Sequence, residues 1–337
     1  MNNLNPSKSS NNNKVVEVKN LSKWFPLKYG ITDVIARKPR KYVKAVNNVT
    51  LGIYKGENLG LVGESGCGKS TLARNIVRLY EPTKGKVILN GTDITNMKGA
   101  KLRKIRPTMQ MIFQDPYSSL NPRMSVYEVI SEMLAVHNMV EKSNVPNRVK
   151  ELLEMSGLSM EIADRFPGEF SGGQRQRIGI ARALALEPEI IIADEPVSAL
   201  DASIQAQIIN LLDDLQKRLG LTILFISHDL GVIRYITNRV AVMYLGSIVE
   251  LGKTKDVFEK PCHPYTLALT KAAPSLDPTN RKRGYTIKGE IPSPINMPNG
   301  CKFHNRCRYC KDICKTEEPK YIQVSKNRYV SCHFPLK

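Results

Sequence analysis

The chain has 337 residues, 42% of them hydrophobic, and its 50 Lys and Arg residues against 31 Asp and Glu residues give a formal net charge of +19. This length predicts one large α/β domain with an appendage, or two domains, and no apolar run approaches the ~18 residues that a membrane-spanning helix needs. The charge favours polyanionic partners, namely nucleotide phosphates, nucleic acid or an anionic membrane surface.

The amino-terminal part of the chain predicts a leader, two strands and a basic loop. Residues 1–14 are rich in Asn, Ser and Lys and contain no apolar core of the kind that a secretory signal carries, so we expect a disordered leader in a cytosolic protein. Strand patterns at 15–18 and 45–53 enclose a polar, strongly basic stretch at 28–44, which we interpret as an inserted surface loop. It is either solvated or faces lipid headgroups or a partner subunit through Arg37, Lys38, Arg40, Lys41 and Lys44.

A phosphate-binding loop of the form G-x-x-x-x-G-K-S follows the next predicted strand, at 57–62. Its glycines let backbone N–H groups point inward, Lys69 supplies a charge for the β- and γ-phosphates, and Ser70 offers a hydroxyl to Mg²⁺ at the start of a helix. Cys67 needs no redox role there, because a small side chain fits between glycines. The residues of this nucleotide site are Gly63, Ser65, Gly66, Cys67, Gly68, Lys69, Ser70 and Thr71.

Further along the chain, strands alternate with helices. A strand at 85–89 enters a tight turn at Asn90-Gly91, and another strand follows at 109–113. Residues 116–170 then predict a helical insert, with a capping box that begins at Ser125 and a helix stop at Gly157.

The second half of the predicted core is a strand, a helix and a strand. The strands cover 189–193 and 221–227, and the helix between them ends at Gly220. Such an alternation predicts a doubly wound α/β sheet. After about residue 262 prolines become frequent and helical periodicity fades, which predicts the start of an appendage.

Polar residues stand where these strands end. Gln114 and the Asp194-Glu195 pair each close a predicted strand, and His228 follows the last predicted core strand. A Ser-Gly-Gly-Gln sequence at 171–174 opens one helix. Each of these has an ordinary explanation by itself, such as a cap or a loop, but their order after a phosphate loop indicates a nucleotide-hydrolysing site. Phe25, upstream, is placed either to stack on adenine or to fill the core.

With these motifs the chain resembles the nucleotide-binding subunit of an ATP-binding-cassette (ABC) transporter over about residues 25–245. The phosphate loop, residues 113–122 and the His-Pro-Tyr-Thr sequence at 263–266 are similar to the ATPase subunits of bacterial oligopeptide/dipeptide importers, and the second of their two ATPases is the closer match. The resemblance implies an α/β fold: a P-loop NTPase (RecA-like) core with an antiparallel β edge and an α-helical subdomain, plus a small Cys-rich C-terminal extension. The implied divisions are a leader at 1–14, a nucleotide-binding domain at 15–260 with its helical subdomain at about 116–170, and the extension at 261–337.

The resemblance also implies roles for the site residues, with ATP and Mg²⁺ as cofactors. Ser70 would bind Mg²⁺ directly, Asp194 through water, and Gln114 would join the metal shell. Glu195 would be the general base that polarises the attacking water, and His228 would hydrogen-bond the γ-phosphate. Other residues implied to contact ATP are Phe25, Ser171, Gly173, Gln174 and Asp201, of which Ser171 and Gly173 would complete the site of the opposing subunit.

The implied partners are a second ABC ATPase subunit in a heterodimer, two transmembrane permease subunits and an extracytoplasmic substrate-binding protein. The chain would then lie peripherally on the cytoplasmic face of the inner membrane and power import of oligopeptides, dipeptides or related solutes, since nickel and oligosaccharide importers share the family label. The alternative is a soluble ABC ATPase that acts on nucleic acid, which the charge would also suit. A single uninterrupted cassette argues against that alternative, so we expect no nucleic-acid partner.

The last forty residues contain five of the seven cysteines, and in a chain without a secretory signal such clustering favours metal over disulfides. Cys301, Cys307, Cys314 and Cys332 match similar importer ATPases, whose Cys-x-Phe-x-x-Arg-Cys segment holds a [4Fe–4S] cluster in some members. Cys310 departs from that pattern, in which a small residue is usual. Zinc is the alternative metal, for which Cys307-x-x-Cys310, His304 and His333 are further candidate ligands, and unligated thiols also stay open.

Overall fold

A computed structural model of the protein describes residues 14–30, 39–272 and 289–336. The predicted leader, apart from Lys14, lies outside the described residues, as do Arg37 and Lys38 of the basic stretch. The strands are β1 (Lys14–Pro26), β2 (Tyr42–Tyr54), β3 (Asn58–Val62), β4 (Lys84–Leu89), β5 (Thr92–Asp93), β6 (Met109–Ile112), β7 (Ile190–Asp194), β8 (Thr222–Ile226), β9 (Arg239–Tyr244), β10 (Ser247–Lys253), β11 (Tyr321–Ser325) and β12 (Arg328–Ser331).

The helices connect these strands and form the predicted helical insert. Three of them, α3 to α5, lie within residues 116–170. The α-helices are α1 (Lys69–Ile76), α2 (Gly99–Ile105), α3 (Pro116–Ser119), α4 (Val126–Val136), α5 (Val145–Met155), α6 (Gly172–Leu184), α7 (Ala202–Leu219), α8 (Leu230–Ile236), α9 (Thr254–Glu259), α10 (Pro264–Ala272) and α11 (Asp312–Thr316).

Two sheets form the framework. The smaller sheet is antiparallel in the order β2-β1-β4-β5, and the larger has the order β11-β12-β10-β9-β3-β8-β7-β6. In the larger sheet the strands from β9 to β6 are parallel, whereas β10, β12 and β11 add an antiparallel edge. Both β7 and β8 are buried at every position, as expected for parallel strands that are covered on both faces. The α/β prediction with a parallel core is therefore confirmed.

The hydrophobic core lies on both faces of the larger sheet. Ile191 and Ala193 of β7 belong to the cluster that also contains the buried residues of α4 to α7. Their neighbours Ile190 and Ile192 point into the second cluster, which includes the inward side chains of the antiparallel sheet and of α1. Because successive side chains of a strand point to opposite faces, one short apolar run supplies both clusters.

Local signals in the sequence produced the expected turns and helix ends. Asn90 and Gly91 have φ angles of 46° and 77°, as a tight hairpin turn between β4 and β5 requires. The capping box of α4 is present, with the Ser125 hydroxyl accepting from the Glu128 N–H and the Glu128 carboxylate accepting from the Ser125 N–H. Gly157 and Gly220 follow α5 and α7 with φ angles of 71° and 64°.

The structure corrects three expectations. His228 does not follow the last core strand, because β9 comes later in the chain and pairs in parallel with β3. Helical structure continues past residue 262 as α10, which Pro264 can begin because the first turn of a helix needs no N–H donor there. Lys44 belongs to β2 rather than to the basic loop, and its ammonium lies 5.5 Å from the ring centre of Trp24.

Candidate functional site

The phosphate loop lies between β3 and α1 and is packed against backbone on its outer side. Gly63, Gly66 and Gly68 all have positive φ angles, at 155°, 76° and 108°. A Cβ atom on Gly63 would lie 2.1 Å from the carbonyl oxygen of Met243, and one on Gly68 would lie 2.1 Å from that of Ala45. Only glycine can occupy these two positions, because they combine a left-handed backbone with close backbone approach.

Lys69 and Ser70 begin α1 and point to different partners. The Lys69 ammonium is buried and donates to the carbonyl oxygens of Gly63 at 2.8 Å and Glu64 at 3.2 Å. The Ser70 hydroxyl donates to the Asp194 carboxylate at 2.9 Å, which joins the phosphate loop to the end of β7. Burial raises the pKa of Asp194, and the hydrogen bond from Ser70 opposes that shift. A hydroxyl beside a buried carboxylate is a donor set that suits Mg²⁺.

Gln114, Glu195 and His228 converge at the carboxyl ends of three parallel strands. Glu195 Oε2 accepts a hydrogen bond from Gln114 Nε2 at 3.1 Å and lies 3.3 Å from His228 Nδ1. The Glu195 backbone has a φ angle of 48° and donates its N–H to the Ile226 carbonyl at 2.9 Å. Such a left-handed conformation is strained for a residue other than glycine, and strain of this kind is concentrated at functional sites. The His228 side chain is 59% exposed, so the cluster is open to solvent.

The Ser-Gly-Gly-Gln sequence forms the start of α6. Ser171 and Gln174 bond each other in a capping box, with the Gln174 N–H donating to Ser171 Oγ at 3.3 Å. Both residues are exposed, whereas Gly173 is buried, and a Cβ there would lie 2.4 Å from Ile204 Cγ2. Asp201 caps α7 by accepting from the Ile204 N–H at 3.0 Å. The hydrogen bonds of Ser171, Gln174 and Asp201 are thus local to the two helix starts.

The remaining predicted site residues are Phe25 on β1, Ser65 and Cys67 in the loop, and Thr71 in the first turn of α1. Phe25 is half-buried near the end of β1, with its ring edge-to-face on Tyr80 at 5.5 Å and the Lys23 ammonium 5.0 Å from its centre. Ser65 is exposed and Thr71 half-buried. The Cys67 side chain is buried, and burial raises the pKa of its thiol. A neutral thiol in this position agrees with a packing role.

Comparison with known proteins identifies the family. Residues 46–198 match the ABC transporter family, and residues 249–314 match the oligopeptide/dipeptide transporter C-terminal region. The chain is 49% identical over 332 residues to the oligopeptide transport ATP-binding protein AppF of Bacillus subtilis, an alignment that covers 96% of this chain and 98% of AppF. It belongs to the ABC transporter ATP-binding proteins. Within them it falls in the oligopeptide/dipeptide branch.

A second sequence relative and a solved structure are also similar to this chain. The probable peptide ABC transporter ATP-binding protein y4tS of Sinorhizobium fredii is 49% identical over 321 residues, which is 95% of this chain and 89% of that protein. The dimeric post-hydrolysis structure of the ATP-binding cassette MJ0796 bound to ADP and Pi is 31% identical and superposes with a TM-score of 0.62, over 71% of this chain and 98% of that one. The chain is therefore an ABC-type ATPase, a class that uses ATP with Mg²⁺.

In the C-terminal part of this ABC protein, Cys301, Cys307, Cys314 and Cys332 line one pocket with His263, His304 and His333. Cys310 is not among the lining residues, and its thiol donates instead to the Lys311 carbonyl at 3.6 Å. Burial raises the pKa of Cys301 to about 12 and that of Cys332 to about 11. Within the described residues, no group of three or more His, Cys, Asp or Glu side chains is arranged to hold a metal ion.

Three residues of the ABC site carried no predicted role. Glu64 occupies a variable position of the phosphate loop, Tyr265 lies on α10, and Arg306 is the arginine of the Cys-x-Phe-x-x-Arg-Cys segment. In the structure both Tyr265 and Arg306 hydrogen-bond Glu64, from 201 and 242 residues further along the chain. No local pattern reports such a pairing, because periodicity and capping signals act over a few residues.

Proposed function

We propose that this chain is the ATP-hydrolysing subunit of an importer for oligopeptides or dipeptides, and that it drives a separate membrane permease. The observation that carries the hydrolytic part is the convergence of Gln114, Glu195 and His228 beside the Ser70–Asp194 pair. The peptide part rests on the names of AppF and y4tS and on the C-terminal region that the chain shares with oligopeptide/dipeptide transporters.

In the proposed reaction the residues of the site divide phosphate binding, metal binding and water activation among them. Lys69 and the loop N–H groups bind the β- and γ-phosphates, and Ser70 and Asp194 hold Mg²⁺, which neutralises charge on the phosphates when bound. Glu195 accepts the proton of the attacking water while His228 orients that water and the γ-phosphate. Gln114 already donates to Glu195, so it can orient that carboxylate as well as the metal shell. Phe25, at the edge of this region, would stack on adenine.

We further propose that two cassettes close on ATP head to tail. Ser171 and Gln174 are exposed at a helix start, where N–H groups and a hydroxyl can bind an anion, and their hydrogen bonds are to each other. Gly173 lets α6 approach α7 closely, and Asp201 at the start of α7 would lie at the same interface. The structural relative MJ0796 is described as dimeric with ADP and Pi, which supports this arrangement. In our proposal the second cassette is a related ATPase, so that the pair is a heterodimer.

The proposed domain division, partners and location of the chain follow from this role. The cassette would span 15–260 with its helical subdomain at 116–170, and 261–337 would be the importer-type extension. Among the described residues no helix has the length and apolarity to cross a bilayer. In our proposal two permease subunits supply the membrane path, with this chain bound at their cytoplasmic face and a substrate-binding protein on the other side. Nucleic acid is not a partner in this proposal.

Peptide uptake by cells tests the substrate class. In cells lacking this chain, uptake of a labelled tripeptide is expected to fall to background and to return with the wild-type chain, but not with a Glu195→Gln variant. If peptide uptake is unaffected while nickel or oligosaccharide uptake is lost, the substrate class is wrong although the import role stands. ATP-modulated, salt-sensitive binding to DNA or RNA, with no effect of a permease, would instead support the nucleic-acid alternative.

We also propose that Cys301, Cys307, Cys314 and Cys332 hold a [4Fe–4S] cluster. Four thiols that line one pocket form a donor set of the number and type that such a cluster takes. Zinc, which four thiolates can also bind, is the alternative metal for this site.

Iron and zinc content of anaerobically purified protein tests the cluster. We expect about four iron atoms per chain with broad visible absorbance in the wild type, and loss of both in a Cys307→Ser variant. Cys310→Ser is the matched control and should retain both, since Cys310 does not line the pocket. Stoichiometric zinc without iron would contradict the proposal, and so would absence of any metal from freshly prepared anaerobic protein.

A further inference from the structure

The phosphate loop contains a carboxylate. Glu64 directly follows Gly63, and its carbonyl oxygen accepts from the Lys69 ammonium at 3.2 Å, so the residue is part of the loop that surrounds the phosphates. A negative charge on this loop would oppose the binding of a triphosphate unless a positive group cancels it. The loop therefore needs a compensating cation beyond Lys69.

Arg306 of the C-terminal extension supplies that cation. Its two terminal nitrogens donate to the two oxygens of the Glu64 carboxylate, at 2.7 and 2.9 Å, in a bidentate fork. The Arg306 side chain is 5% exposed and the Glu64 side chain 21% exposed, so solvent screens the pair only weakly. The same guanidinium donates to the Tyr244 hydroxyl at 3.4 Å, at the end of β9. The fork is thus held in one orientation.

A second contact from the extension fixes the backbone of the same residue. The Glu64 N–H donates to the Tyr265 hydroxyl oxygen at 2.9 Å, and Tyr265 is fully buried on α10. An N–H that is held by a tyrosine is not aimed at a phosphate, so this bond sets which loop N–H groups remain for the nucleotide. Arg306 thus neutralises the Glu64 carboxylate and Tyr265 orients the Glu64 backbone, and both residues lie outside the loop.

These contacts join the loop to the cysteine pocket. Arg306 ends the short helical turn His304–Arg306, which lies between Cys301 and Cys307 of the pocket. Phe303 in the same segment packs on the rings of Tyr244 at 5.2 Å and Tyr265 at 5.3 Å. A shift of the cysteine segment would therefore move Arg306 and the two tyrosines together.

We propose that Arg306 and Tyr265 are positioning residues for ATP binding: the cysteine-lined extension neutralises and orients Glu64, so that the affinity of the phosphate loop depends on the extension. This inference rests on the proposed ATPase function and adds to it a dependence of ATP affinity on the C-terminal extension. Because the effect is on the loop that holds both ground state and transition state, it acts on nucleotide affinity more than on turnover.

A double-mutant cycle that neutralises Arg306 and Glu64 tests the proposal on purified full-length protein, with equilibrium binding of Mg·ATP and steady-state kinetics as readouts. Arg306→Met should raise Kd and KM for ATP about tenfold and leave kcat within about twofold, since it leaves the Glu64 carboxylate of the phosphate loop without its neutralising partner. Glu64→Gln alone should tighten binding. The Glu64→Gln, Arg306→Met double variant should return Kd to within about threefold of the wild type, and Arg306→Lys should be intermediate. Tyr265→Phe should weaken binding about threefold.

Lys315→Met is the matched control, because it removes one positive charge from the same extension, where the Lys315 ammonium pairs with the exposed Asp312. Unchanged affinity in Arg306→Met would overturn the inference. A double variant as weak as Arg306→Met, with a lowered melting temperature, would also overturn it, since removing a repelling charge cannot repair a folding defect. A wild-type chain that binds no ATP would instead refute the proposed function itself.

Discussion

A Glu195→Gln variant is expected to bind ATP and Mg²⁺ as the wild type does and to hydrolyse ATP about 10²–10⁴-fold more slowly, the range for loss of a general base. The substitution keeps the side-chain shape and one oxygen, so the contact with Gln114 at 3.1 Å can persist. It removes only the group that accepts the proton of the attacking water. Steady-state phosphate release, together with equilibrium binding of ATP, measures the two effects separately.

Glu189→Gln provides the matched control for this variant. Glu189 is an exposed carboxylate just before β7, at the opposite end of that strand, and it accepts from the Asn90 side chain at 2.9 Å. We expect turnover close to the wild-type value there. Normal turnover in Glu195→Gln would refute the assignment of the base, and equal losses in both variants would point to a general effect on the fold.

In the Glu195→Gln background, ATP should hold this chain and its companion ATPase together, because closed cassettes open only after hydrolysis. Adding Ser171→Arg is expected to abolish this ATP-dependent association, since a long cation then occupies the helix start that faces the neighbouring γ-phosphate in our proposal. ATP binding to the loop of the same chain should remain. Light scattering of the co-purified pair in ATP and in ADP reports the association directly.

Ser125→Arg controls for the lost helix cap. Ser125 and Ser171 head capping boxes of the same kind, at the starts of α4 and α6, so each substitution removes one cap at a cost of about 1 kcal/mol. Only Ser171 belongs to the proposed interface. Persistence of ATP-dependent association in Ser171→Arg, or its loss in both variants, would contradict the shared-site arrangement.

The experiments on Glu195 and Ser171 and the double-mutant cycle on Arg306 and Glu64 test three separate steps of the proposed ATPase cycle. Glu195 concerns the chemical step, Ser171 the joining of two cassettes, and Arg306 the state of the phosphate loop. If the extension acts as we propose, any change in the cysteine pocket alters ATP affinity before it alters turnover. A structural change in the extension would then alter ATP affinity through the hydrogen bonds of Tyr265 and Arg306 with Glu64.

Much of the fold was predictable because its signals are local. The positive φ angles at Gly63 and Gly68, the Asn90-Gly91 turn and the capping box at Ser125 each depend on the backbone freedom or the hydroxyl of a few adjacent residues. Short β-branched runs likewise predicted buried parallel strands such as β7. The sequence by itself therefore determined the phosphate loop, the α/β order and the identity of the residues at the strand ends.

Only the tertiary structure decided which of these residues meet. Ser70 reaches Asp194 across 124 residues because β3, β8 and β7 are neighbours in the sheet, and that strand order has no local sequence signal. The same holds for β9, which lies beyond the strand that had been predicted as the last. The C-terminal extension gives the clearest example of contacts without a local sequence signal, since β12 joins the larger sheet and Arg306 reaches Glu64 across 242 residues. Contacts at such separation are set by how the whole chain packs, which no short segment of sequence encodes.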